Sequence, residues 1–305
     1  MLWLVRTLGS LVLLLLLLLT GTALFKFLKA TWFGPAGGGG NHVYVTSISG
    51  MITSSNEFVR DLEKQLKERG TKAIVVRINS PGGFVAPSQE MYEAIRSADK
   101  KVPVIASMGQ VAASGGYYAA IGARTVYANP GSVTGSIGVL MEFVNLEKLA
   151  QWAKVERFTI SSGALKSAGS PFRKMKPEEE QYFRGLVTNI FTQFRDTVKE
   201  RRKLDDAQVA RVSDGRVFTG LQAKEEKLVD ELGTLTDAIA AAKKAAKLPD
   251  DAPVVYAERS RGWLSWIESG APGGEGSLAS AFHAWKRWVD PSVHGWQVLL
   301  MSPIQ

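Results

Sequence analysis

From Asn41 onward the apolar positions switch repeatedly between a period of two and a period near 3.6. Alternating or β-branched runs predict strands, and i, i+3, i+4 spacing predicts amphipathic helices. On that basis His42–Ser49 is a strand, and Asn56–Arg69 is a helix with Gly70 as its C′ residue. Ala73–Ile78 is a strand, Gln89–Ser97 a helix and Val102–Met108 a strand. The small and aromatic residues after Ser114 predict a buried helix. Thr125–Ala128 and Ile137–Met141 read as short strands, Leu146–Ala153 as a helix and Val155–Ile160 as a further strand. Pro177–Arg202 is a long helix. Pro177 suits its first turn, Glu178, Glu179 and Glu180 suit its positive end, and Lys199, Arg201 and Arg202 close it. Leu221–Glu226 and Thr236–Ala246 are helical, and Pro253–Glu258 is a last strand. This β-α-β-α order predicts an α/β fold with a mostly parallel sheet covered by helices. In such folds sites lie at the carboxyl ends of strands.

Two segments fall outside this pattern. Residues 8–28 carry no charge between Leu8 and Phe25. That length suits a helix crossing a bilayer at about 1.5 Å per residue. Residues 1–30 therefore read as an N-terminal membrane anchor, with a cleaved export signal ending near Thr20–Ala23 as the rival. Flanking charges (Arg6, Lys26 and Lys29) are nearly balanced and orient it weakly. Residues 31–41 contain Gly34-Pro-Ala-Gly-Gly-Gly-Gly40, a flexible linker. Residues 42–257 are the folded body, and 258–305 are a tail holding five of the eight tryptophans. Trp263/Trp266 and Trp285/Trp288 are spaced i, i+3, so each pair shares a helix face. That tail packs on its own body or a neighbour, or dips into the membrane interface.

Composition narrows the chemistry. With 45% hydrophobic residues in 305, the body can bury a sizeable core. There is no cysteine, so no disulfide, thiolate metal site or cysteine nucleophile is expected. The three histidines (His42, His283 and His294) show no metal-ligand spacing, and no metal is expected. Net charge is +8, but the basic residues are scattered. Their densest group (Lys199, Arg201, Arg202 and Lys203) ends a helix, where cations complement the dipole. We read it as a solvated helix end, not a nucleic-acid surface. Phosphate-loop and dinucleotide motifs are absent, and no cofactor is expected.

Ser114, in Met108-Gly-Gln-Val-Ala-Ala-Ser114-Gly-Gly-Tyr-Tyr118, looks like a nucleophile at a tight turn before a helix. Between Asp99 and Glu142 there is no Asp, Glu or His to serve as its base. A serine nucleophile needs one. Lys166 lies in Ser161-Ser-Gly-Ala-Leu-Lys166-Ser-Ala-Gly-Ser-Pro171, and from Arg157 to Pro177 there is no acid. A lysine base must be neutral, which burial and nearby cations favour and a carboxylate opposes. On spacing alone Lys166 reads more readily as an exposed loop lysine, and the lack of any other base for Ser114 brings the two readings level. Asn79-Ser-Pro-Gly-Gly83 offers the amides of Gly82 or Gly83, and Gly115 offers another, for a developing oxyanion. Ser132, Thr134 and Ser136, in a turn-rich loop, could orient an amine or merely cap turns.

Taken together these segments resemble the signal peptide peptidase A family, in its short single-repeat form. Arg77-Ile-Asn-Ser-Pro-Gly-Gly83, Ala112-Ala-Ser114-Gly-Gly-Tyr-Tyr118, Gly131-Ser-Val-Thr-Gly-Ser-Ile-Gly138, the Lys166 segment, Gly215-Arg-Val-Phe-Thr-Gly220 and Leu228-Val-Asp-Glu-Leu-Gly233 occur in order over about residues 42–247. The resemblance implies a Clp-protease or crotonase-like fold of repeated β-β-α units and a Ser-Lys endopeptidase. It assigns Ser114 as nucleophile, Lys166 as general base, Ser136 as the serine positioning that lysine, and Gly83 and Gly115 as oxyanion-hole amides. It further implies a homo-oligomeric ring, in which the lysine comes from the same or the neighbouring protomer. The implied substrates are remnant signal peptides at the bacterial inner membrane, with an extracytoplasmic catalytic body. An acyl-CoA enzyme of the crotonase type and a non-catalytic membrane scaffold are the alternative readings.

Overall fold

A computed structural model describes residues 40–257, together with residues 20–22, residue 24 and the backbone of 299–301. Apart from these positions, the anchor over 8–28, the linker before Gly40 and the tail over 258–305 lie outside the described residues. Among the described residues no helix is long and apolar enough to cross a membrane.

The core of the body is a parallel sheet. Strands β1 (His42–Ser49), β2 (Thr71–Ser80) and β4 (Val104–Ala113) are parallel neighbours, with β9 (Val254–Tyr256) parallel beyond β1. Past β4 the sheet forks. β5 (Thr125–Ala128) pairs with the first half of β4, and β6 (Val133–Gly135) pairs with its last three residues. β8 (Glu231–Leu232) extends β5 in parallel, and β7 (Val217–Thr219) runs antiparallel to β6. A short β3 (Gly82–Phe84) follows β2 and pairs with the backbone of β10 (Leu299–Met301).

Period-two patterning sends side chains to two cores. Tyr44, Ile48, Ile74, Val76 and Ile78 face one cluster with Leu62, Ile95, Tyr117, Phe194 and Val198. Val43, Val45, Ala73, Val75 and Ile105 face the other, with Ala238 and Ala242. The first face is covered by helices α1 (Asn56–Lys67), α2 (Val85–Asp99), α3 (Gly115–Ala120) and the far part of α5 (Pro177–Arg202). Three shorter helices come before and after α5: α4 (Glu147–Trp152) before it, then α6 (Asp206–Val212) and α7 (Gly220–Glu225). The second face is covered by α8 (Leu235–Ala245). Ile74, Val76 and Ile78 are wholly buried, and each such side chain is worth about 1.5–3 kcal/mol over leaving it in water.

The expected α/β order holds, with corrections. Gly70 does not act as a left-handed cap. Glu68 leaves α1 in an extended conformation, and the Gly70 carbonyl accepts from the His42 amide at 2.8 Å. Helix α2 begins at Val85, four residues before the expected start, with Pro87 in its first turn. The strand expected over Ile137–Met141 is instead β6, four residues earlier. Gly135 and Ser136 have φ of 82° and 50°, which ends the extended run there. Val155–Ile160 forms no strand. The segment finds no partner edge among the described residues, and Phe158 and Ile160 are 88% and 86% exposed. β7 and β8 were not foreseen, because three and two residues are too short to show a period.

Candidate active site

The parallel strands β1, β2 and β4 end on the same edge, and Ser114 stands one residue beyond β4. Its backbone has φ 53° and ψ −117° before α3 opens at Gly115. A non-glycine residue held there costs on the order of 1–3 kcal/mol. Two bonds hold it. The Ser114 amide donates to the Gly135 carbonyl at 2.8 Å, and the Tyr118 amide donates to the Ser114 carbonyl at 2.8 Å. The Ser114 side chain is fully buried, and its Oγ has no hydrogen-bond partner. A buried unpaired hydroxyl costs about 1–3 kcal/mol, so backbone strain and desolvation fall on the same residue.

The two glycine motifs are pressed together around it. A Cβ on Gly115 would lie 2.3 Å from Ser88 Oγ and 3.3 Å from Gly82 Cα. One on Gly116 would lie 2.7 Å from the Ser80 carbonyl oxygen. Only glycine lets α3 approach α2 and the end of β2 so closely. Gly83 is equally constrained, since a Cβ would sit 2.1 Å from the Ile52 carbonyl oxygen. Ile52 fixes that strand from one side: its amide donates to Gly82, and its carbonyl accepts from Phe84, both at 2.8 Å. Gly115 opens α3, so its N–H has no acceptor within the helix. Gly83 and Gly115 therefore sit on adjoining segments. Ser88 and Ile52 escaped the sequence reading, because neither carries a chemical signature. They act by contact.

The structure also separates the three hydroxyls of the following loop. Ser132 Oγ donates to the Gly109 carbonyl at 2.5 Å, and Thr134 Oγ1 donates to the Ala112 carbonyl at 2.7 Å. Both are spent on tying β6 to β4. Ser136 follows Gly135, whose carbonyl holds the Ser114 amide, and its own amide donates to Arg216 at 2.8 Å. It is 3% exposed, with φ 50°. Ser136 and Ser114 are thus joined through one backbone hydrogen bond.

Lys166 is where the expectation of a secluded amine fails within one chain. It lies in a series of turns from Ser162 to Gly169, and its side chain is exposed. Since Ser114 Oγ has no partner, Lys166 makes no hydrogen bond to it here. The stretch leading to Lys166 exposes several large apolar side chains. Val144, Leu149, Trp152, Val155, Phe158 and Ile160 are all more than half exposed, Trp152 at 82%.

Beyond Lys166 the chain is anchored by a pairing that the sequence does not reveal. Arg173 donates to both carboxylate oxygens of Glu179, at 2.9 and 2.5 Å, and to the Ser167 carbonyl at 2.9 Å. Glu179 is 1% exposed in the first turn of α5, and it also accepts from the Lys176 amide at 3.1 Å. The sequence marked Glu179 as a helix-dipole residue. Its pairing with an arginine six residues earlier is a product of the turn between them. The Arg173 hydrogen bonds, helped by the Lys176 and Gly169 amides against the opposing effect of burial, pull the Glu179 carboxyl down to about 2. An unfolded glutamate titrates at about 4.3. The folded value is the lower one, so this carboxylate's contribution to stability is complete above about pH 4.3 and is lost as pH falls toward about 2. Thermal melts of Glu179→Gln should accordingly show a flatter pH dependence between those limits than the native chain.

No histidine serves Ser114 among the described residues. His42 begins β1, at the opposite end of the parallel strands, and its ring contacts the Gly40 carbonyl and Thr71 Oγ1. His283 and His294 lie outside the described residues.

Known proteins with this pattern agree on the class. Residues 96–249 match the family model of Peptidase family S49, and residues 45–134 match that of Clp protease. A protein of Synechocystis named as a protease is 40% identical over 67% of this chain and 74% of its own length. A protein of Enterococcus faecium named as signal peptide peptidase SppA is 31% identical over 72% of this chain and 69% of its own. A chloroplast serine protease, SPPA of Arabidopsis thaliana, is 35% identical over 70% of this chain but only 32% of its own. The mostly parallel α/β sheet is thus a Clp-protease-like domain, the chain belongs to peptidase family S49, and it is a serine peptidase similar to signal peptide peptidase A.

Proposed function

We propose that the chain is a membrane-anchored endopeptidase using Ser114 as nucleophile and Lys166 as general base. The observation that carries this reading is Ser114 itself: a strained turn at a strand end, a buried hydroxyl without a partner, and Gly115 beside it. In the reaction, neutral Lys166 takes the Ser114 proton as Oγ attacks the peptide carbonyl carbon. The Gly83 and Gly115 amides receive the oxyanion. The ammonium then protonates the leaving amine, and water repeats the sequence on the acyl-enzyme. Ser136 orients the amine, as the hydroxyl of its loop that is not committed to β4.

The exposed apolar stretch before Lys166 favours a homo-oligomer in which this surface is covered by a neighbouring copy, and the lysine serves the neighbour's Ser114. Covering would also exclude the water that keeps an exposed lysine charged. Substrate would bind as an extended strand beside Gly82–Phe84, an edge that already pairs antiparallel with residues 299–301. The substrates in this reading are remnant signal peptides and other apolar polypeptides. The apolar residues 8–28 hold the body at the bacterial inner membrane on its extracytoplasmic side, and the Trp-rich 258–305 is an appendage to it. Among the described residues the crotonase-type alternative lacks a free buried acid. Glu179 is the buried carboxylate among the described residues, and Arg173 occupies it.

A peptide-library digest with the full chain in detergent tests the reading. Cleavage after small or apolar side chains is expected. Cleavage only after charged residues would contradict the substrate class. No cleavage by a verified oligomer would leave the scaffold reading.

A further inference from the structure

We propose that Arg173 and Glu179 form a positioning clamp that sets the place and the charge state of Lys166. The proposal rests on Lys166 being the general base. The turns around Lys166 are held locally by i to i+3 backbone bonds, such as Lys166 N–H to the Gly163 carbonyl at 3.1 Å, and by the Ser161 hydroxyl on the Gly163 carbonyl at 3.2 Å. Nothing in that bonding fixes the turns relative to the sheet. The fixing begins one residue later. Arg173 grips the Ser167 carbonyl, and the Glu179 carboxylate takes the Lys176 amide. Glu179 sits on α5, whose Phe194 and Val198 are in the main core. A continuous path therefore runs from the core through α5, Glu179 and Arg173 to the carbonyl of Ser167, the residue after Lys166.

The same pair solves an electrostatic problem. A buried carboxylate left unpaired beside the base's loop would favour the charged, inactive form of the amine. Arg173 neutralises that carboxylate in a bidentate pair, so the clamp anchors the loop without opposing a neutral lysine. The other charged groups on the flanking segments are Glu147, Lys148, Lys154, Glu156 and Arg157 before the loop and Lys174, Lys176, Glu178 and Glu180 after it. All are partly or fully exposed. They are screened by solvent and unchanged in the variants below.

The test compares Arg173→Met, Arg173→Lys and Glu179→Gln with the native full chain on one apolar peptide, across pH, with folding checked by melting. For Arg173→Met we expect kcat to fall roughly 100-fold with KM nearly unchanged, as for a displaced catalytic group. The acidic limb of the pH–rate profile should move to higher pH, because Glu179 is left unpaired. Glu179→Gln, which leaves the Arg173 cation without its carboxylate, should move that limb to lower pH. Arg173→Lys should recover most of the rate. Opposite shifts support the clamp. Equal profiles in all variants, or a rate loss tracking melting alone with no shift, overturn it. If Arg173→Met does not fold, the Glu179→Gln shift decides by itself. Lys166→Ala is run alongside. Activity retained there refutes the base assignment, whereas a dead Lys166→Ala with native-like clamp variants refutes only the clamp.

Discussion

Ser114→Ala should lower kcat/KM for an apolar peptide by about 10⁴-fold or more, the scale on which nucleophile removal acts in other serine peptidases. The fold should survive, and this is where the structure makes the prediction sharper than a routine substitution. Alanine at φ 53° carries the same backbone strain as serine. It removes a buried hydroxyl that has no partner. The stability cost of that orphan, about 1–3 kcal/mol, should be partly returned, so the melting temperature should hold or rise. Melting and peptide cleavage measured on the same preparation check both halves. A lower melting temperature with residual cleavage would mean that Ser114 packs the turn and that the nucleophile lies elsewhere.

Lys166→Ala should cost a comparable factor, because a serine hydroxyl without its base attacks poorly. Its informative form is a mixture. Lys166 is exposed and Ser114 is buried and unpartnered in one chain. If a neighbour supplies the lysine, co-assembling equal amounts of Ser114→Ala and Lys166→Ala chains should restore about a quarter of the native sites, each built from two intact halves across a repeated interface. If each chain supplies its own, the mixture should stay inactive. Cleavage rates of the mixed and separate assemblies distinguish the two. Charged substitutions at Phe158 and Ile160, if this surface is the interface, should abolish the recovery.

Much of the fold could be read from the chain because its long elements bury one face each. β1, β2, α2 and α5 lie close to where their periodicity put them, with ends shifted by a few residues. The failures share a cause. Val155–Ile160 has the composition of a strand, but a strand exists only against a partner edge, and none is offered to it among the described residues. β7 and β8 are strands only because β6 and β5 stand beside them. Gly70 looked like a cap, yet its carbonyl was claimed by the start of β1.

For the site, the sequence by itself determined the cast of candidates: one serine set among glycines, a second glycine pair, and a lysine in a window without acids. Those follow from residue type, since only a few side chains and backbone conformations can do this chemistry. The tertiary structure decided what those residues could reach. It pressed Gly115 against Gly82 and Ser88, spent Ser132 and Thr134 on β4 while leaving Ser136 beside the Ser114 backbone, and paired Glu179 with Arg173. It also left Lys166 and the apolar stretch before it in water. Burial and partnership are relations between segments far apart in the chain, so no local pattern encodes them.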